Sequence, residues 1–397
     1  MKKNWTLVTF LFLSLFLGQG VLIKGITFAA AKEIKFACIY PFSGPAASWG
    51  INDYRAYMIG SEIINEAGGF TVQGQKYFWK IVSYDSKFTP EGTVAGVEWA
   101  INTEKVNFLS TMGGGQTLAV IPKTEPAKIL NISVANPTPN LPPSKSPLTF
   151  FGAAQISDTT WIPLIQWVKK KHGLKTMAVL QPDYVVGKVA ASTTVEAAKR
   201  AGVDLVAQEM VSLTASDFYP TLTKILTKNP DMIMTGINSS RSASLILKQA
   251  RELGYKGIVF LPWGPSVKDV LEIAGPQAEG VYANGLIYWD TPWLQEVKKR
   301  YSAKWDINEA DIGVIGFAGT LRALTEAIVK ADSFDTTKVA AKFQDEKWDA
   351  YAPKDSGWWG AKKVGIKRLA FNSTVQIFKF EGGKAKLLDR LTVTVDE

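Results

Sequence analysis

Short apolar runs alternate with stretches of helical period along most of the chain. Ile34–Tyr40, Tyr77–Ser83, Val106–Ser110 and Ile132–Ala135 have the length and side chains of strands, and between them 52–67, 90–104 and 116–130 carry helical periodicity. After Phe150 the pattern restarts, with strands predicted at Thr176–Leu180, Asp204–Met210, Asp231–Thr235 and Ile258–Leu261 and helices at 187–201, 217–228 and 239–253. In the last of these Ala243, Ile246, Ala250 and Leu253 fall on one face, which is expected to be buried. Such alternation implies an α/β fold whose parallel sheets are covered on both faces. A chain of 397 residues, at about 100–200 residues per domain, suggests two domains, each with its own core.

The two halves also resemble each other locally. KVNFLSTMGGGQT in the first and DMIMTGINSSRSA in the second each read as a strand, a small-residue loop and a helix start, each in the third strand–helix unit of its half. Ligands of open α/β sheets sit at the carboxyl ends of strands, so two facing sheets would put both loops on one cleft. The loop Gly113-Gly114-Gly115-Gln116-Thr117 lacks the last glycine of a dinucleotide fingerprint and the Lys-Ser/Thr of a P-loop. What it keeps is exposed amides at a positive helix end, suited to an anionic group.

The chain ends bear on compartment. Lys2 and Lys3, the apolar stretch Leu7–Leu17 and Ala29-Ala30-Ala31 follow the order of a secretory signal, predicting export and cleavage after Ala31 into the periplasm. The apolar core is about half the ~20 residues that span a bilayer. Cys38 is the only cysteine, so no internal disulfide is possible, and Lys35 stands where a lipobox needs an apolar residue; Cys38 reads as a buried core thiol. The formal charge of +9 is spread along the chain, and Lys169-Lys170-Lys171 reads as a solvated helix end, so no nucleic-acid partner is expected. The single histidine, His172, precedes Gly173 at that helix end, and no G-x-S-x-G is present. Nucleophilic triads and Cys/His metal sites therefore lack their residues. Asp53, Asp85 and Asp183 follow strands or begin helices without a spacing that pairs them. No enzyme activity, metal or cofactor is expected.

IKFACIYPFSGPAASWG, INEAGGF, DFYPTLTKI, LKQARELGYKG and AGPQAEGVY, in that order, resemble the exported solute-binding proteins of branched-chain amino acid ABC transporters, the leucine/isoleucine/valine-binding family. The similarity runs over nearly all of residues 33–390, and its specificity lies in the ordered set. It implies a type I periplasmic-binding-protein fold: two Rossmann-like lobes joined by a three-strand hinge, closing as a monomer on a small molecule that is presented to permease subunits. Lobe one is expected at 32–152 and 286–358, lobe two at 153–285 and 359–397, with crossings near Phe151–Ala154, Ala283–Ile287 and Gly357–Gly360. Trp358-Trp359 would pack at the hinge.

By that resemblance the aromatic before glycine in the SGP-x-x-x-x-G segment, Trp49, is a pocket wall, and the loop Gly113, Gly114, Gly115, Gln116, Thr117 takes the ligand carboxylate. A second carboxylate loop falls on Ala135 and Asn136, where Pro137 replaces the usual threonine and removes a hydroxyl and an N–H. The other lobe departs further: the family's Tyr-Gly becomes Val186-Gly187, its next aromatic falls at Ser239 and Ser240, and the acid that pairs with the ligand ammonium falls at Trp263-Gly264. Burying an ammonium without that partner costs several kcal/mol. Trp263, Tyr288, Trp289 and Arg241 are offered in exchange. The expected ligand is a carboxylate- or amide-containing molecule with an aromatic or branched aliphatic body. A conventional branched-chain amino acid binder and an exported sensor without a transport role are the alternatives.

Overall fold

The computed structural model describes residues 31–134, 145–151, 158–288, 292–305, 316–345, 357–359, 369–371 and 373–393. Its first part runs β1 (Lys32–Tyr40), α1 (Ala47–Glu66), β2 (Phe70–Val72), β3 (Gln75–Asp85), α2 (Pro90–Asn102), β4 (Phe108–Thr111), α3 (Gly114–Thr124), β5 (Leu130–Ser133) and β6 (Thr149–Phe151). The second runs α4 (Asp158–His172), β7 (Thr176–Pro182), α5 (Val185–Ala201), β8 (Asp204–Val211), α6 (Tyr219–Leu226), β9 (Met232–Met234), α7 (Ser240–Glu252), β10 (Ile258–Leu261), α8 (Val267–Ala274) and β11 (Tyr282–Tyr288). There follow α9 (Pro292–Trp305), α10 (Gly316–Ala331), α11 (Thr336–Asp345), a ribbon of β12 (Gly357–Trp359) and β13 (Leu369–Phe371), and finally β14 (Ser373–Glu381) and β15 (Lys384–Val393).

Two sheets result, in the orders β2-β3-β1-β4-β5-β6 and β15-β14-β11-β10-β9-β7-β8. The parallel run β3-β1-β4-β5-β6 of the first is repeated as β8-β7-β9-β10-β11 in the second, so each lobe is a doubly wound unit with the same strand order. Antiparallel additions lie at the edges. The hairpin β2–β3 turns through Gln73 and Gly74, both at positive φ (49° and 75°), as a type I′ turn requires.

Both faces of each sheet are buried, which is why the strands read as continuous apolar runs. Along β1, Phe36, Cys38 and Tyr40 enter one core while Ala37 and Ile39 enter the other. The Cys38 thiol is fully buried between β3 and β4 partners, and burial pushes its pKa well up. The helices after β11 return to the first sheet: Leu294, Tyr301, Leu324 and Phe343 share the core of Phe36 and Phe108. Trp79 Nε1 donates to Thr325 Oγ1 at 2.8 Å, and Tyr301 to Asn52 Oδ1 at 2.9 Å. The chain therefore passes between the cores after β6, after β11 and again between α11 and β14.

Two expectations are corrected. The helix expected at 116–130 ends at Thr124, after Pro122 and before a turn in which Lys128 takes φ 53°, and this frees Leu130 to start β5. Leu253 follows the end of α7 and is 38 % exposed, whereas Ala243, Ile246 and Ala250 are buried as expected. The lysine run lies in the last turn of α4, where Lys169 Nζ caps the end of α5 through Ala201 O (3.1 Å) and Gly202 O (2.8 Å). Among the described residues no helix is long and apolar enough to cross a membrane.

One contact recurs in both lobes. A Cβ on Gly50 of α1 would lie 1.9 Å from the carbonyl oxygen of Pro41, and a Cβ on Gly187 of α5 would lie 1.8 Å from that of Pro182. Each proline stands at the end of the first strand of its lobe, and only glycine lets the helix rest on that carbonyl. Gly50→Ala and Gly187→Ala should each destabilise the fold by about 1–3 kcal/mol, as overpacking typically does, read as a lowered urea midpoint; midpoints equal to the parent's would show that the helices can shift without cost.

Candidate functional site

In a sheet of this order the helices leave to opposite sides at the first and third strands, opening a crevice at their carboxyl ends. In the first lobe this point lies between β1 and β4, in the second between β7 and β9. The loop leaving β1 is fixed by Asp85, the last residue of β3. Its carboxylate accepts from Phe42 N (2.8 Å), Ser43 Oγ (2.7 Å) and Lys87 N (2.9 Å). Burial alone would raise its pKa, but these donors outweigh it and hold the group below the usual carboxylate range. One side chain thereby joins the loop before α1 to the loop before α2.

Beside them, Gly113 ends the β4 turn at φ 98° and α3 begins at Gly114 without a side-chain cap. Gly113 N donates to Val134 O, and the first helical bond comes from Thr117 N to Gly113 O, which leaves Gly114, Gly115 and Gln116 as the uncommitted amides of the helix start. Gln116 folds back over Gly113, and its Nε2 donates to Phe88 O at 2.6 Å. Thr117 is differently occupied: its hydroxyl is wholly buried between Gly113 O, Ser133 Oγ and Thr111 Oγ1.

Phe88 is the residue around which the expected site gathers. It and Lys87 both take left-handed backbone (φ 60° and 52°), a strained arrangement for non-glycine residues that the Asp85 turn supports. Its ring meets half-buried Trp49 edge-on at 5.9 Å, and meets Tyr184, at the start of α5 in the other lobe, at 5.9 Å. The surrounding protein raises the Tyr184 phenol well above its ordinary range, so it stays protonated. Trp49, Gln116, Phe88 and Tyr184 thus form one cluster across the lobes, of which sequence reasoning found only the first two. The readable signal was the strand-ending Asp85 followed two residues later by its own turn partner.

In the second lobe Val186 is 5 % exposed and belongs to the core beneath α4. Ser239 caps α7, accepting from Ser242 N at 3.2 Å, and Ser240 Oγ accepts from Ser266 N at 2.8 Å; both are buried. Arg241 is exposed in the first turn of α7. Trp263 is half-buried and left-handed at φ 74°. Asp183 is exposed and pairs with Lys188 at 3.2 Å, whereas Asp53 is buried in α1 with its pKa pushed well up. Among the described residues of this lobe, Thr235 Oγ1, Asn238 Oδ1 and Asn284 Oδ1 are buried without a hydrogen-bond partner. Ala135, Asn136, Trp289 and Asp290 lie outside the described residues, as do the side chains of Tyr288, Trp358 and Trp359. Among the described residues no cluster of three or more His, Cys, Asp or Glu could hold a metal.

Two lobes of the same strand order, with loops converging at their strand-order reversals, are the arrangement of a two-lobed binding protein. The profile of the family described as periplasmic binding protein matches residues 33–375, and this chain belongs to that family. Leu/Ile/Val-binding protein homolog 4 of Brucella abortus is 30% identical over 261 residues, covering 62% of this chain and 61% of its own length. The solute binding protein of an ABC transporter from Rhodopseudomonas palustris, solved with 3,4-dihydroxy benzoic acid, superposes with a TM-score of 0.73 at 22% identity, over 92% of this chain and 98% of that one. The branched-chain amino acid transporter substrate binding protein of Streptococcus pneumoniae, in complex with isoleucine, gives 0.73 at 20% identity, over 91% and 99%. These structural likenesses establish the type I fold.

Asp85→Asn should lower stability by about 1–2 kcal/mol near neutral pH through weaker charge-assisted bonds. Because the folded pKa is depressed, the carboxylate's contribution is present above the unfolded value near ~3.9 and is lost as pH falls through the folded value. Urea midpoints of parent and variant should therefore converge in acid. A gap that persists there would mean that the charge is not what joins the loops.

Proposed function

We propose that this chain is an exported binding protein that captures a small organic carboxylate between its lobes and delivers it to a membrane ABC permease, acting as a monomer without catalytic or cofactor chemistry. In this proposal a signal is cleaved near Ala31, lobe one comprises 32–152 with 286–358, and lobe two comprises 153–285 with 359–397. The observation that carries it is the uncapped start of α3 beside the cluster Trp49, Phe88 and Tyr184. Free amides at a helix start favour a carboxylate, and three aromatic rings favour an apolar or aromatic body. The family, and the names of its structural neighbours as binding proteins of an ABC transporter and of an amino acid transporter, support transport over sensing.

An acid or amide without an α-ammonium fits these residues better than a free amino acid. The position where the family places its ammonium partner is Trp263-Gly264, and Asp183 is already paired with Lys188. The neighbour solved with a dihydroxy benzoic acid supports the same choice. The second candidate is a conventional Leu/Ile/Val ligand, favoured by the Brucella relative and by the neighbour that holds isoleucine.

A thermal-shift panel that pairs leucine, isoleucine, valine and phenylalanine with their deaminated analogues isolates the ammonium. The deaminated acids should raise the melting temperature more at equal concentration, and a clear preference for the amino acids would refute the assignment. Ligand held only by the closed form should stabilise by about 2.7 kcal/mol at a hundredfold excess over Kd. Trp49→Ala should weaken binding by about tenfold or more, the loss of one well-packed aromatic wall; unchanged affinity would make Trp49 a packing residue only.

A further inference from the structure

The second lobe has a groove at the end of its sheet opposite the cleft. It runs across the amino ends of β7, β9, β10 and β11, has a volume of about 890 Å³, and is lined by Lys175, Asp231, Arg251, Leu253, Lys256 and Tyr282 among other residues. A volume of ~300–1,000 Å³ suits a small molecule. We propose that this groove is a second binding site, for a compact oxyanion of two negative charges on an apolar body, the chemistry of a phosphate monoester. Groove and cleft lie at opposite ends of the same parallel strands, so the groove's ligand is independent of the cleft's.

Arg251, in the last turn of α7, is half-buried, and burial opposes its charge. Its guanidinium lies over the Tyr255 ring at 5.7 Å, and Nη1 donates to Tyr255 O at 2.7 Å and to Gly257 O at 2.9 Å. Both hydrogens of Nη1 are thereby used. The edge formed by Nε–H and Nη2–H has no acceptor in the protein, and such an edge presents the two parallel donors that fork onto an oxyanion. Among the described residues no carboxylate pairs with Arg251, so a partly buried cation stands without a counter-charge. The turn that holds it is tight: the Tyr255 hydroxyl donates to Pro230 O at 3.0 Å, and a Cβ on Gly257 would lie 2.3 Å from that hydroxyl.

Lys256, next in the chain after Tyr255, is exposed and likewise has no ion pair among the described residues. Lys175 precedes β7 and has Asp231 near it. The two carboxylates of the groove are already engaged by main chain: Asp231 accepts from Lys175 N and Thr176 N, both at 2.9 Å, and Glu279 accepts from Gly382 N at 3.0 Å. His172, 5.3 Å from the Tyr282 ring, is held neutral near pH 7 by burial and then by the charges of Lys171 and Lys379. Arg251 and Lys256 are therefore two positive charges on one groove without a partner, which a single dianion neutralises together. Leu226, Leu253 and Ile258 supply the apolar part of the wall, and Leu253, 38 % exposed past the end of α7, gains cover from the ligand's body.

Isothermal titration of the purified protein with inorganic phosphate and with phenyl phosphate, at low ionic strength and constant chloride, tests the site. Both should bind, phenyl phosphate about threefold or more tightly than phosphate because of the apolar wall. Arg251→Gln should weaken phosphate by about tenfold or more and Lys256→Gln by about threefold or more, whereas Trp49→Ala, in the cleft, should leave phosphate affinity unchanged. Arg251 also holds the Tyr255 turn, so its variant can fail to fold; Lys256 makes no hydrogen bond or ion pair through its side chain, and its variant decides the question alone. Absence of binding, phenyl phosphate bound no more tightly than phosphate, or affinity unaltered in Lys256→Gln overturns the assignment. Loss of phosphate binding in Trp49→Ala also overturns it, because the anion would then sit in the cleft.

Discussion

The close seat of a helix on a strand-end carbonyl, Gly50 on Pro41 and Gly187 on Pro182, sets where every other element of the cleft can lie. Each contact fixes the direction in which the first helix of a lobe leaves its first strand. Trp49 immediately precedes one of these glycines, and Tyr184 is the N-cap residue of the helix that carries the other. A side chain in place of either hydrogen would tilt the helix and move the aromatic residue attached to it. The two lobes therefore share a strand order and also a local packing device, and near the start of each helix so seated stands an aromatic ring, Trp49 in one lobe and Tyr184 in the other.

From that framework the cleft is built by polar anchoring rather than by additional apolar packing. Asp85 ties two loops of the first lobe, Gln116 ties the α3 start to one of them, and Phe88 emerges where they meet. The amides at Gly114–Gln116 are held still by this network, so a bound carboxylate need not organise them. Between the lobes α3 meets α5, and the edge-to-face pair Phe88–Tyr184 beside it is worth about 0.5–1.5 kcal/mol.

The strand–helix alternation was legible in the sequence because parallel strands buried on both faces cannot hide their apolar runs; Ile258–Leu261 was read to the residue. The β2–β3 hairpin was not, since its turn uses Gln-Gly where Asn-Gly is the usual signal, and the antiparallel pair β14–β15 alternates polar positions with apolar ones at a sheet edge. In the cluster around Phe88, Trp49 and Gln116 were legible through the glycines beside them. Ser239 and Ser240 are a serine pair at a helix start, a pattern that serves capping as well as it would serve a ligand, and here both hydroxyls take protein partners. Phe88 and Tyr184 escaped because their roles depend on two loops meeting across lobes, which no local pattern records.

The return of α9–α11 to the first sheet has a consequence for the order in which the molecule can be made. Trp79 waits for Thr325, Asn52 for Tyr301, and Glu62 for Lys304, partners separated by well over half of the chain. During synthesis the strands of the first sheet emerge early, yet one face stays uncovered until the residues up to Phe343 have followed. The second sheet closes later still, when β14 pairs with β11. Such distant pairing makes for slow folding and a long interval with apolar surface exposed: the first core waits for the residues up to Phe343, and the second for β14.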